Sequence, residues 1–246
     1  MENGEGAGPG TGPRFVVGIG YALYRGPLAD SHAHRHAAFQ VAFALGAPAP
    51  TVTITDGNGL RHRGTALVVA PMVHHRTEPV RELVTYFVDP HCAFADRLRA
   101  AQDATGITVA PRWYGLREDQ VRPAGALPSA QVDPRLRAAM EAAADDSVPL
   151  TGLAARVGLS PQRLRALAQD QLGLPLARWR IWRRLARAAD ALHEGSTPAQ
   201  AALAGGFADQ AHFGRRMREM TGLTPAAVLP VLRTARSSGG QGRRAT

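Results

Sequence analysis

Histidines cluster at two places in the first third of the chain, where their spacing could hold a metal ion or a small ligand. His34 and His36 stand one residue apart just before a β-prone run, and His74 comes later, after Pro71. Side chains two residues apart lie on the same face of a strand, so His34 and His36 can point to one centre. Gln40 stands four residues after His36 and is an amide, not the carboxylate that often joins histidines in sites for Zn²⁺, Fe²⁺ or Ni²⁺.

Three interpretations of these residues stay open. A metal ion would be held by His34, His36 and His74. A small-molecule pocket would add Gln40, and Arg76 could contact an anionic ligand. The third interpretation makes the histidines purely structural. Because glutamine is a poor metal ligand and the carboxylate is missing, we expect no bound cofactor, with a metal ion as the alternative.

A second group of residues suited to chemistry lies in the C-terminal half, where arginine and glutamine follow two turn signals. Residues 150–172 contain a turn glycine, Gly158, and then a segment with leucines at helical spacing. The pattern recurs at residues 197–221 around Gly206. Side chains that can cap the first turn of a helix stand where each helix should begin: Ser160, Thr197 and Asp209. This pattern is typical of helix-turn-helix DNA-binding units, so we predict two of them.

The net charge of +9 is concentrated in the same half of the chain. Residues 150–246 hold 15 arginines against five acidic residues, whereas residues 1–130 hold 12 against 11, and the chain has no lysine. A neutral half joined to a basic half predicts one part that binds a polyanion and one part with another task. A single cysteine and the absence of a long apolar run predict a cytoplasmic protein with no membrane partner.

Hydrophobic periodicity and turn residues divide the chain into five parts. Residues 14–121 are expected to form short strands followed by a helix, and residues 135–233 a helical domain. Between them, residues 122–134 read as a linker. Residues 1–13 and 234–246 are rich in small and polar residues and are expected to be disordered tails.

The helical half resembles the C-terminal domain of the AraC/XylS family of transcription regulators. The likeness rests on the paired turns, on the connecting segment WRIWRRLARAADAL and on the motif GGFADQAHFGRRMREMTGLTP. The first half resembles, more loosely, the cupin-like sensor domain of the same family through VVAPMVHH and LVTYFVDP. The resemblance implies an α+β fold, with an N-terminal cupin-like β-barrel or jelly roll. An all-α domain follows, with two helix-turn-helix motifs joined by a linker helix.

The resemblance also implies a function and a set of contact residues. It implies a sequence-specific transcription regulator, not an enzyme, controlled by a small-molecule effector in the barrel. The partners would be double-stranded promoter or operator DNA, a second copy of the chain, and RNA polymerase. The expected DNA contacts are Gln162, Arg163, Arg165 and Ala166 in the first unit, and Gln210, Ala211, Gly214, Arg215 and Arg218 in the second. Arginine can contact guanine, and glutamine adenine, through two hydrogen bonds each.

Two other functions stay open for the first half. It could be a metal-dependent cupin enzyme fused to a DNA-binding domain, which would need an open coordination position on the metal. It could also be an oligomerisation module that binds no ligand.

Overall fold

The structure, a computed structural model, describes residues 12–28, 31–46, 50–103 and 106–223. In this part of the chain an antiparallel β domain is followed by a helical domain, which confirms the predicted fold class. The strands are β1 (Arg14–Gly18), β2 (Tyr21–Leu28), β3 (Phe39–Ala44), β4 (Val52–Asp56), β5 (Arg61–Gly64), β6 (Ala66–Val69), β7 (His75–Thr77), β8 (Val80–Val88) and β9 (Ile107–Val109).

The strands of the described residues form two sheets. The larger has the order β1-β2-β8-β3-β6-β9 and the smaller β5-β4-β7, with antiparallel pairing throughout. The turn between β4 and β5 is closed by Asp56, whose carboxylate accepts the backbone N–H groups of Asn58 and Leu60. Apolar side chains from both sheets, including Ile54 of β4 and Leu67 of β6, form one core layer. Two facing sheets with an apolar layer agree with the predicted cupin-like barrel.

Two helices cover one region of the larger sheet. They are α1 (Ala93–Arg99) and α2 (Glu118–Gly125), and they bury Phe94, Leu98 and Val121 in a core shared with the sheet. Because α2 continues to Gly125, the first residues of the predicted linker are helical. The Arg-Pro-Ala-Gly sequence suggests a turn, but burial of Val121 and Ala124 outweighs this local preference.

The helical domain contains the two predicted helix-turn-helix units. Its helices are α3 (Pro134–Ala144), α4 (Leu153–Arg156), α5 (Pro161–Leu167), α6 (Leu176–His193), α7 (Pro198–Ala204) and α8 (Gln210–Thr221). The first unit is α4–α5, the second α7–α8, and α6 joins them. None of the helices in the described ranges has the length and apolar character needed to cross a membrane.

The predicted helix caps and turns are confirmed. Ser160, Thr197 and Asp209 each accept a backbone N–H from the first turn of the following helix. Gly158 and Gly206 adopt φ of 65° and 77° at the two turns, a conformation that favours glycine. These local interactions fix where α5, α7 and α8 begin.

The helical domain packs directly on the β domain. One hydrophobic core contains residues of α3 to α8 together with Ala37, Ala38 and Phe87 of the β domain. The indole Nε1 of Trp182 on α6 donates to Asp89 Oδ1 at 2.9 Å, and both side chains are buried. The Trp182 ring also lies 5.7 Å from that of Phe87. The contact between the two domains is therefore apolar, with a buried polar link at Trp182.

Candidate functional site

The first recognition helix, α5, presents a polar face to solvent. Leu164 and Leu167 are buried against the rest of the domain. All four residues of α5 that were predicted to contact DNA are exposed: Gln162, Arg163, Arg165 and Ala166. The helix therefore has the inward and outward faces that groove insertion requires.

The second recognition helix, α8, has the same arrangement over a longer span. Phe213, Met217 and Met220 are its buried side chains. Its predicted contact residues lie on the other side, where Gln210, Ala211, Arg215 and Arg218 are exposed and Gly214 is half-buried. The prediction of an outward polar face is confirmed for both helices, whereas contact with DNA stays a prediction.

The arginines of α6 are engaged within the protein. Arg184 Nε lies 2.8 Å from Asp146 Oδ1, and the Arg187 guanidinium contacts the other oxygen of the same carboxylate. Arg180 donates to the Ala143 and Val148 carbonyls. These contacts fasten α6 to the end of α3 and the segment that follows it, so the three arginines have a structural role in this arrangement.

The histidine cluster lies in the β domain beneath the end of α8. His34, His36 and His75 are all buried, and one potential ligand atom of each lies within 4.8 Å of those of the other two. Gln40 Oε1 lies 3.0 Å from His36 Nε2 and 2.9 Å from His75 Nε2. Three imidazoles and one amide thus converge on one point.

The prediction that His74 joins His34 and His36 in the histidine cluster is wrong by one residue. His74 is exposed, and His75 takes its place beside His34 and His36. Side chains alternate along β7, so His75 and Thr77 face the interior while Arg76 faces solvent. Arg76 is therefore not part of this cluster. The sequence does not indicate which of the two adjacent histidines is buried, because strand register decides which one points inward.

The three imidazoles are neutral at physiological pH. Burial, with a smaller contribution from the nearby His36 ring, lowers the pKa of His34 to about 3. Burial also lowers the pKa of His36, and it lowers that of His75 well below its ordinary value. Neutral imidazoles keep a lone pair that can accept a hydrogen bond or bind a metal.

A comparison with protein families identifies the helical half. A family model described as a helix-turn-helix domain matches residues 153–229, which span both units and α6. This half is an AraC-type helix-turn-helix domain. A comparison of the sequence with curated proteins finds no match.

Solved structures share the fold of most of this chain. ToxT from Vibrio cholerae O395 has 9% sequence identity and a TM-score of 0.55, and the match covers 87% of this chain and 98% of ToxT. ToxT bound to (E)-4-(8-methylnaphthalen-1-yl)but-3-enoic acid has 8% sequence identity and a TM-score of 0.55, and the match covers 87% of this chain and 99% of that ToxT chain. ToxT from Vibrio cholerae strain SCE256 with a bound unsaturated fatty acid has 8% sequence identity and a TM-score of 0.55. This match covers 85% of this chain and 94% of that ToxT chain. The shared fold is a β domain followed by a helical domain.

Besides a cleft of about 630 Å³ between the domains, lined by Asp89, His91, Met140, Trp179 and Arg187 among others, two smaller cavities lie where the AraC-type domain meets the β domain in the described residues. The first is mainly apolar, has a volume of about 70 Å³ and is bounded by Phe15, Phe87, Trp182 and Met217, among others. The second has a volume of about 20 Å³ and is lined by His34, Gln40, Thr85 and Leu223, among others. The second cavity has room for one water-sized ligand. It is far smaller than the roughly 300–1,000 Å³ of ordinary small-molecule sites.

Proposed function

We propose that this chain is a sequence-specific DNA-binding transcription regulator of the AraC type, with the β domain at residues 14–121 as its sensor. The observation that carries the proposal is the pair of matched helix-turn-helix units, each with polar side chains exposed on its recognition helix. An exposed face of arginine and glutamine above a buried apolar face is what reading of base edges requires.

The length of α6 supports binding by both units. Its 18 residues span about 27 Å at the standard helical rise. Successive major grooves on one face of B-DNA lie roughly 34 Å apart. A connecting helix of this length is compatible with recognition helices that enter neighbouring grooves. Base contacts are proposed for Gln162, Arg163, Arg165, Ala166, Gln210, Ala211, Gly214 and Arg215, with Arg218 on phosphate.

The contact between the domains supports control by a ligand. Because α6 and α8 pack on the β domain, a ligand bound there can favour one arrangement of the domains over another. The shift it produces is limited to the difference in its affinity for the two arrangements. The ToxT structures that contain an acid with a large apolar group support a ligand-responsive regulator.

The proposed function also implies an oligomeric state, a cell compartment and partners. We infer a homodimer acting in the cytoplasm on promoter or operator DNA, with RNA polymerase as a further partner. The connection between the sensor and the DNA-binding domain is assigned to residues 126–133, between α2 and α3. An enzymatic role for the β domain has less support, because the cavity beside the histidines has room for a water molecule but not for a substrate.

The test is selection of genomic fragments by the purified full-length protein, followed by gel-shift titration of the recovered site. We expect a preferred site and an affinity that falls steeply with salt, because phosphate contacts release counterions. Arg163→Ala and Arg215→Ala should each weaken binding about five- to 150-fold and relax specificity at one position. Arg81→Ala, which removes an exposed arginine of the β domain, is the matched control.

Two outcomes would contradict the proposal. The first is the absence of a preferred fragment at any salt concentration. The second is a loss of affinity in Arg81→Ala equal to that in Arg215→Ala, since binding would then depend on net charge and not on the recognition helices.

A further inference from the structure

In each of the three buried histidines, a neighbouring carbonyl determines which ring nitrogen carries the hydrogen. His34 Nδ1 lies 2.8 Å from the His32 carbonyl, His36 Nδ1 lies 2.7 Å from that of Ala38, and His75 Nδ1 lies 2.9 Å from that of Val73. A carbonyl oxygen only accepts hydrogen bonds, so each Nδ1 must carry the hydrogen. Each Nε2 of a neutral ring is then an unprotonated lone pair.

Two of these lone pairs meet at the Gln40 side chain. The Nε2 atoms of His36 and His75 lie 3.0 and 2.9 Å from Gln40 Oε1, which is itself an acceptor. Acceptors facing one another at this distance repel unless a positive group stands between them. Two arrangements remove the repulsion. The Gln40 amide can turn so that its NH₂ group donates to both rings, or a cation can bind all the lone pairs.

The geometry around the lone pairs is suited to a cation. Tetrahedral Zn–N bonds of about 2.1 Å place ligand nitrogens roughly 3.4 Å apart. The ligand atoms of the three histidines already lie within 4.8 Å of one another, so no pair needs to approach by more than about 1.4 Å to reach this separation. Backbone carbonyls that accept Nδ1–H are the usual partners of histidines that bind metal, because they fix the tautomer and the ring orientation.

The small cavity beside the cluster offers a further coordination position. It is lined by His34, Gln40 and Thr85, and its volume is about 20 Å³. The Thr85 hydroxyl is buried and has no hydrogen-bond partner among the described residues. A water molecule held by a metal in this cavity would give that hydroxyl a partner.

We propose that His34, His36 and His75 bind one divalent transition-metal ion such as Zn²⁺, with Gln40 and the adjacent cavity completing its surroundings. Imidazole nitrogens suit zinc, copper, nickel and iron, and the set lacks the carboxylates that magnesium and calcium prefer. The inference rests on the proposed function in one respect, because it names a ligand for the sensor domain.

The site touches the second helix-turn-helix unit. Gly222 follows α8 and packs so closely on His34 that a Cβ atom there would lie 2.7 Å from His34 Nδ1. The backbone N–H of Arg35 approaches the carbonyl of Glu219 in the last turn of α8, and the ring of His36 lies 6.4 Å from that of Trp182. A metal that orders these rings is therefore linked to the position of α8 on the β domain.

The test uses the full-length protein after removal of metal with a chelator. Titration with Zn²⁺ alone should give one ion per chain by calorimetry and by elemental analysis. At a free zinc concentration of 100 times Kd, Tm should rise by roughly 5–10 °C. Co²⁺ should give visible absorption bands of the intensity typical of a low-coordinate site with imidazole ligands.

The variants separate this site from adventitious binding. His75→Ala should abolish stoichiometric zinc binding, whereas His74→Ala, which removes the exposed neighbour, should leave it unchanged. Gln40→Glu should tighten zinc binding, because a carboxylate is a better zinc ligand than an amide. If His75→Ala does not fold, the comparison of Gln40→Glu with the unaltered protein still decides the matter.

Several results would overturn the proposal. They are a chain that takes up no zinc, a His74→Ala variant that loses zinc as His75→Ala does, and weaker zinc binding by Gln40→Glu. The last result would mean that the Gln40 NH₂ group holds the two rings without a metal.

Zinc titration needs no DNA, so its outcome is independent of the gel-shift test of the proposed function. A protein that selects DNA but binds no zinc would refute only the metal site, and the opposite result would refute only the regulator. Where both hold, zinc and DNA should change each other's affinity by the same factor. An unchanged DNA affinity would show that the ion is structural and is not the sensor's ligand.

Discussion

Replacing Trp182 with phenylalanine is expected to weaken the contact between the AraC-type domain and the β domain. The indole N–H donates to the Asp89 carboxylate, and the two residues are only 7% and 5% exposed. Phenylalanine keeps an aromatic ring beside Phe87 but has no donor. The substitution therefore removes one buried hydrogen bond to a charged acceptor while retaining most of the apolar contact.

The magnitude follows from the kind of bond. A hydrogen bond to a charged group contributes about 1.5–3 kcal/mol. Arg183 Nη1 lies 3.6 Å from the other oxygen of Asp89, so the carboxylate keeps one partner after the substitution. We therefore expect a coupling energy between Trp182 and Asp89 in the lower half of that range, about 1.5–2 kcal/mol.

The assay is a double-mutant cycle of Trp182→Phe and Asp89→Ala, with the free energy of unfolding measured in urea by circular dichroism. Trp113→Phe combined with Asp89→Ala is the matched control, because Trp113 Nε1 has no hydrogen-bond partner among the described residues. The control pair should be additive within about 0.5 kcal/mol. A coupling below about 0.5 kcal/mol for Trp182 and Asp89, or an equal coupling in the control, would refute the reasoning.

Three further predictions concern the helix-turn-helix units and their contact with the β domain. Ser160→Ala should lower the free energy of unfolding by about 1 kcal/mol, because it removes the cap of α5; an unchanged thermal midpoint would contradict this. Gly222→Ala should lower Tm more than Gly115→Ala, since both glycines have φ of 70° but only Gly222 faces a neighbour, His34, within 4 Å; equal decreases would contradict the observed packing. Arg218→Ala should weaken binding to all DNA sequences alike and reduce the salt slope by about 1; a sequence-selective loss would instead indicate a base contact.

The helix-turn-helix units could be predicted from the sequence because their determinants are local. Helical periodicity placed Leu164 inward and Arg165 outward, and both placements are confirmed. The caps at Thr197 and Asp209 act within one turn of their own helices. Interactions between residues three or four positions apart can be inferred directly from their spacing in the sequence.

The β domain could be predicted only in part. Apolar, β-prone runs in the sequence predict five strands, at residues 15–17, 40–45, 51–55, 66–70 and 83–88, which correspond to β1, β3, β4, β6 and β8. No such run predicts β2, β5, β7 or β9. Strand β2 contains Gly26 and Pro27, and β5 is Arg-His-Arg-Gly, so their composition argues against a strand. These segments become strands because they pair with strands that are distant in the sequence. The residue types within one segment do not predict that pairing.

The sequence by itself determined a basic helical domain with two recognition helices and a group of histidines in the first half. Tertiary structure alone decided that His75 joins His34 and His36, and that Trp182 reaches Asp89, 93 positions away in the chain. It also decided that the α6 arginines bond to acidic side chains and carbonyls within the protein. The physical reason is that helical faces follow from short-range periodicity, whereas strand register and domain packing depend on contacts between residues far apart in the sequence.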